Sequence, residues 1–200
     1  MVTKAQGTLQ QIKLDSTESE LSPQRFRLVA TKSIEMDILK LSTDWAESEV
    51  FSSKIVWLFS LIELSAALGF WFFGRTPMAR SFIWPLFIAG LLIALVGAGL
   101  YVANSPRIDR FQQEYRLDPN QFAQFEIQRT EKSKGELALV FRIIPAIIIL
   151  AAAVILLVPG GVWRAVAVTV IINAAFLMAV DSNTEARNNI YHSEISTLKK

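Results

Sequence analysis

Cysteine is absent from the 200-residue chain, and histidine occurs once, as His192. Without thiols there can be no disulfide and no thiolate metal site. One imidazole does not complete a conventional transition-metal or haem site within a single chain, and Asp181, Glu185 and Glu194 flank His192 without metal-ligand spacing. Catalytic signatures are missing too. No Gly-x-Ser-x-Gly nucleophile elbow occurs, Pro159-Gly160-Gly161 reads as a turn, and Lys134-Gly135 stands alone rather than in a phosphate loop. A net charge of +2 is too small to imply a nucleic-acid partner. The expectation is a non-catalytic protein with no cofactor, no metal and no nucleic acid.

What the chain does have is oily residues, 52% of the total, gathered into blocks. Residues 55–73, 82–104, 137–158 and 163–180 are nearly free of charge, whereas 1–54 and 105–136 read as ordinary charged sequence. About 20 apolar residues at a rise of 1.5 Å cross a hydrocarbon layer of roughly 30 Å. Four such blocks predict an all-α integral membrane protein, an up-down bundle of four transmembrane helices with cytoplasmic helical extensions. The first block starts too far in for a cleavable secretory signal, and Asp15, Glu18 and Glu20 do not suit a transit peptide.

Orientation follows from the basic residues. Of the 20 Lys and Arg, sixteen fall in 1–54, 105–136 and 181–200; Arg75, Arg80 and Arg164 fall on the opposite side, and Arg142 lies within the third block. Basic short loops stay in the cytoplasm. Both termini and the middle loop are expected inside, in a plasma membrane such as the bacterial inner membrane. Trp57, Trp71, Trp84 and Trp163 lie towards block ends, as interfacial anchors do. Small residues offer close helix contact: Ser65 and Gly69 in the first block, Gly90, Ala94, Gly97 and Ala98 in the second.

The charged segments also carry helical signals. Residues 1–32 are expected to be mostly disordered. Residues 33–53 read as a separate amphipathic helix, with Ile34, Ile38, Leu41 and Trp45 on one stripe. Glu35, Asp37, Asp44, Glu47 and Glu49 against Lys40 make it too acidic for an anionic leaflet, so it should dock on the middle loop and the tail. Ser105-Pro106 and Asp118-Pro119 both read as a cap followed by a first-turn proline, giving a helical hairpin over 105–136 that turns near Leu117–Asn120. The tail, 181–200, sets Tyr191, Ile195 and Leu198 at helical spacing.

Three polar residues interrupt the blocks: Glu63, Arg142 and Asn173. Counted from the inner ends, they lie roughly 13, 9 and 12 Å deep at 1.5 Å per residue. A charge at such depth costs a few kcal/mol unless it is partnered, so Glu63 and Arg142 are expected to pair, with Asn173 completing the hydrogen bonding. Such a pair could fix helix register or mark a transport pathway. In a third arrangement Arg142 reaches for the interface and never meets Glu63. A second cluster, Asn104, Arg107, Asp181, Asn183 and Arg187, gathers at the inner interface and could hold a lipid headgroup. Beyond the lipid bilayer, the expected partner is another membrane protein or further copies of the chain. The function expected first is helix–helix contact, as a scaffold, accessory subunit or inhibitor; the alternative is an oligomeric transporter or channel using Glu63 and Arg142.

Overall fold

The computed structural model describes residues 23–198, with side chains from residue 38 onward. The described residues divide between Ile38 and Leu39 into two units, and the contacts below belong to the second. The described residues form helices and turns with no strand: α1 (Pro23–Phe73), the short α2 (Pro77–Ser81), α3 (Ile83–Leu117), α4 (Pro119–Leu157) and α5 (Gly161–Leu198). Four helical stretches are long and apolar enough to cross a membrane. With 35, 39 and 38 residues, α3, α4 and α5 are roughly 50–60 Å long, nearly twice the hydrocarbon thickness. Each helix therefore has an apolar half and a polar half.

The helices end where the local chemistry demands it. Asp118 takes an extended conformation, and its carboxylate accepts the backbone N–H groups of Asn120 and Gln121 at 2.9 and 3.0 Å, with Pro119 in the first turn. The hairpin turn expected near Leu117–Asn120 is thus present. At the opposite end Thr76 caps α2 through Ala79 N–H at 3.1 Å, and Gly160 turns the chain into α5 at φ +127°, a conformation that disfavours side chains.

Three expectations about the polar segments need correction. The segment 33–53 is not a separate helix: it runs without interruption into 55–73 as part of α1. Neither Gly nor Pro occurs between Pro23 and Gly69, so nothing stops the helix. That helix begins at Pro23, inside the stretch 1–32 expected to lack order; the 1–22 part of that expectation lies outside the described residues. Ser105-Pro106 does not start a helix either, because α3 continues through Pro106. A proline removes one backbone bond, and here the helix beyond it is held by Phe111, whose ring meets Phe122 of α4 edge-on at 5.5 Å.

Neighbouring helices run in opposite directions. Along α1 and α5 the contacts are Glu49 with Arg187, Phe59 stacked on Phe176 at 3.7 Å, and Glu63 with Asn173. Along α1 and α3, Ser60 donates to the Gly90 carbonyl at 2.8 Å, while Gly97 lies against Trp57 and Val56. Between α4 and α5 the pairs are Glu126 with Tyr191 and Thr130 with Asn188.

The apolar half is arranged inside out. Ser60 of α1 is almost wholly buried, whereas its neighbours Leu58, Leu61 and Ile62 are 57–60% exposed. A soluble bundle would do the reverse, because burying apolar area is what holds it together in water. Small polar residues inside and large oily ones outside suit lipid, where close approach and interhelical hydrogen bonds replace the hydrophobic drive. This arrangement and the four long apolar stretches point to a membrane location.

Candidate functional site

The polar half holds an interlocked network with members on all four long helices. Glu126 and Arg129, one turn apart on α4, pair through two hydrogen bonds of 2.9 and 2.6 Å. Tyr191 of α5 donates to the same carboxylate at 2.6 Å, and its hydroxyl lies 2.7 Å from Ser42 Oγ of α1. The Arg129 guanidinium carbon sits 3.9 Å from the centroid of the Trp45 ring, and Trp45 stacks on Tyr191 at 5.6 Å. The docking expected of the 33–53 region on the middle hairpin and the tail is therefore present at Ser42 and Trp45. Beside it, Thr130 Oγ1 lies 2.8 Å from the Ile127 carbonyl and 2.7 Å from His192 Nδ1. If the single hydroxyl proton goes to the carbonyl, His192 must donate from Nδ1. The lone histidine thus has a structural partner.

The five residues expected at the inner interface separate into two groups. Asn104 is buried and accepts from Arg107 at 2.9 Å, while its amide donates to the Leu100 carbonyl; Arg107 lies 5.9 Å from the Trp45 centroid. On α5, Arg187 reaches Glu49 and Ser52 at 2.8 Å each. Asn183 is exposed and Asp181 half-buried. Arg187, expected to be available to a headgroup, is instead bonded across to α1.

The apolar half departs from the expected trio. Glu63 and Asn173 do meet, with Asn173 Nδ2 donating to Glu63 Oε1 at 2.6 Å. Arg142 does not join them. It is exposed, and the ion pairs among the described residues are Glu126–Arg129, Lys132–Glu136 and Glu49–Arg187. The reason is azimuth: α4 buries Leu137, Ile144 and Ala151, and Arg142, two residues before Ile144, falls about 200° round the helix. A long side chain on that face can extend along its stem.

Thr169 is the other partner of Asn173. The second Nδ2 hydrogen of Asn173 goes to the Thr169 carbonyl at 2.9 Å, one turn earlier on α5. Glu63 and Thr169 are 4% and 3% exposed. Their Oε2 and Oγ1, together with Asn173 Oδ1, are buried without a hydrogen-bond partner. Thr169 was missed in the sequence because threonine in an apolar helix is unremarkable; its i, i+4 spacing to Asn173 was the available signal. A groove of about 470 Å³ between α3 and the α4–α5 pair passes over Thr169 and Asn173, with otherwise apolar walls such as Leu92, Ile147 and Val170.

Comparison with known proteins finds no matching family model, no matching curated protein and no matching solved structure.

Proposed function

We propose that the chain is a non-catalytic, multi-pass protein of the plasma membrane, as in the bacterial inner membrane, that acts through helix–helix contacts. In this reading its helices insert as an up-down bundle with the termini and the Asp118 turn in the cytoplasm. It serves as a scaffold, an accessory subunit or an inhibitor of another membrane protein. The inside-out burial supports insertion, and the sixteen Lys and Arg gathered on one side support the orientation.

The observation that carries the contact reading is the division of labour among the small residues. Gly90 and Gly97 of α3 are used within the chain, since an added Cβ would meet Leu64 at 2.9 Å or Trp57 at 2.5 Å. Ser65 and Gly69 of α1 are not: Ser65 is exposed, and a Cβ on Gly69 would meet nothing within 4 Å. A small residue followed four positions later by another is the notch that lets a second helix approach closely in lipid, and this notch lacks an occupant among the described residues. The test is the mass of the native assembly, extracted in mild detergent, for wild type and Gly69→Leu. An assembly larger than one chain that collapses to a single chain in the variant supports the reading. A wild-type monomer, or an assembly indifferent to Gly69→Leu, ends it.

The alternative of an oligomeric transporter or channel draws on Glu63 alone, because Arg142 stands apart from it.

A further inference from the structure

Glu63 poses a charge problem that the described side chains leave unsolved. It is 4% exposed in the apolar half of α1, and its one hydrogen bond comes from a neutral amide. Arg142, which the sequence pairs with it, is exposed and makes no ion pair with it, and Arg164 lies nine residues from Asn173 at the far end of its block. A bare carboxylate in such surroundings is expensive, so a positive charge beyond the described side chains is called for.

The atoms around Glu63 indicate how that charge would be held. Both Nδ2 hydrogens of Asn173 are committed, to Glu63 Oε1 and to the Thr169 carbonyl. The amide cannot flip without setting oxygen against oxygen, so Oδ1 is fixed as an acceptor. Bond lengths alone keep it within roughly 7 Å of Glu63 Oε2. Glu63 Oε2, Asn173 Oδ1 and Thr169 Oγ1 are three buried oxygens without a partner, and hard cations are held by oxygen. One carboxylate balances one positive charge. A divalent ion would leave a net charge in the apolar half, and calcium also needs six or more oxygens.

We propose that Glu63, Asn173 and Thr169 form a binding site for one monovalent cation, a proton or a sodium ion, which neutralises the Glu63 carboxylate. A proton on Oε2 would serve Asn173 Oδ1 and leave Thr169 unused. A sodium ion would draw on all three oxygens. The site stands whether or not the chain also binds a partner helix.

Thermal unfolding of the purified full-length protein in nanodiscs, with sodium chloride against choline chloride at constant ionic strength and pH 8, separates the two cations. For sodium, the unfolding midpoint rises saturably in wild type and is indifferent to sodium in Glu63→Gln. Thr169→Val, which keeps the shape, needs at least tenfold more sodium. For a proton, sodium has no specific effect, Thr169→Val behaves as wild type, and infrared spectra show a protonated-carboxyl carbonyl band that Glu63→Gln lacks. Glu63→Asp retains the acid and shifts that band, which keeps the assignment open to test should Glu63→Gln fail to fold. A wild-type protein showing neither a sodium response nor a protonated carboxyl assignable to Glu63 overturns the proposal.

Discussion

The Arg129 guanidinium lies over Trp45 with its central carbon 3.9 Å from the ring centroid, while two of its nitrogens hold the Glu126 carboxylate. One planar cation thus joins α4 to α1 and fixes the carboxylate that Tyr191 of α5 contacts. Lysine can supply the charge but not the fork or the flat face. Because the Arg129 side chain is still 24% exposed, the cost of its loss is discounted from that of a fully buried pair. Arg129→Ala is expected to destabilise the protein by about 2–3 kcal/mol, and Arg129→Lys to recover less than half of that. Chemical or thermal unfolding in detergent, followed by circular dichroism, measures both.

The two interhelical glycines of α3 should differ in their tolerance. At Gly90 an added methyl would meet Leu64 Cγ at 2.9 Å and the Leu64 backbone nitrogen at 3.3 Å. That backbone cannot swing aside, and parting the helices would stretch the 2.8 Å bond from Ser60 to the Gly90 carbonyl. At Gly97 the closest atom belongs to the Trp57 ring, which is 51% exposed and free to turn. Gly90→Ala should therefore cost about 1–3 kcal/mol through overpacking, and Gly97→Ala less. Gly99→Ala meets open space and should be neutral or stabilising by up to about 1 kcal/mol from helix propensity. Equal melting temperatures for the three variants would contradict this order.

Why the third polar residue went astray shows where sequence reasoning stops. Depth along a helix is a matter of counting, which sets Glu63 and Asn173 at one level, and the two side chains meet. Rotation about the axis needs a contrast between faces, and 137–158 contains almost none: Leu, Ile, Val and Ala occur all round it. Its buried residues, Leu137, Ile144 and Ala151, look no different from exposed Ile143 or Leu150. In the tail the contrast exists, and Tyr191 and Ile195 are buried as their spacing implies. On α1 the rule itself changes. The buried seam of its apolar half includes Ser60, which an apolar-stripe reading passes over because packing between helices in lipid rewards small size over oiliness. Phe125, three residues after the buried Phe122, is 58% exposed, and nothing in the structure explains it.

Capping at the hairpin turn gives a third expectation. The Asp118 carboxylate serves two first-turn N–H groups that the helix itself cannot satisfy. Asp118→Ala should cost about 1 kcal/mol, up to about 2. Asp118→Asn, which keeps an acceptor oxygen, should retain most of that stability. Loss of the same amount in both variants would show that charge, rather than the acceptor, matters.

The absence of cysteine makes orientation directly measurable, since any thiol introduced is the only one. Arg75 and Asn120 are both exposed, the first in the turn between α1 and α2 and the second just after the Asp118 cap. In cells, Arg75→Cys should react with a membrane-impermeant maleimide added from outside. Asn120→Cys should react only after the membrane is opened. The basic residues argue for this direction because the Asp118 side carries most of them, and moving such segments across a bilayer is resisted. The reverse pattern would turn the bundle over without altering its internal contacts. Labelling of both positions from outside would instead mean that the apolar stretches do not cross the membrane, and the inside-out burial of Leu61 against Ser60 would then need an apolar protein partner in place of lipid.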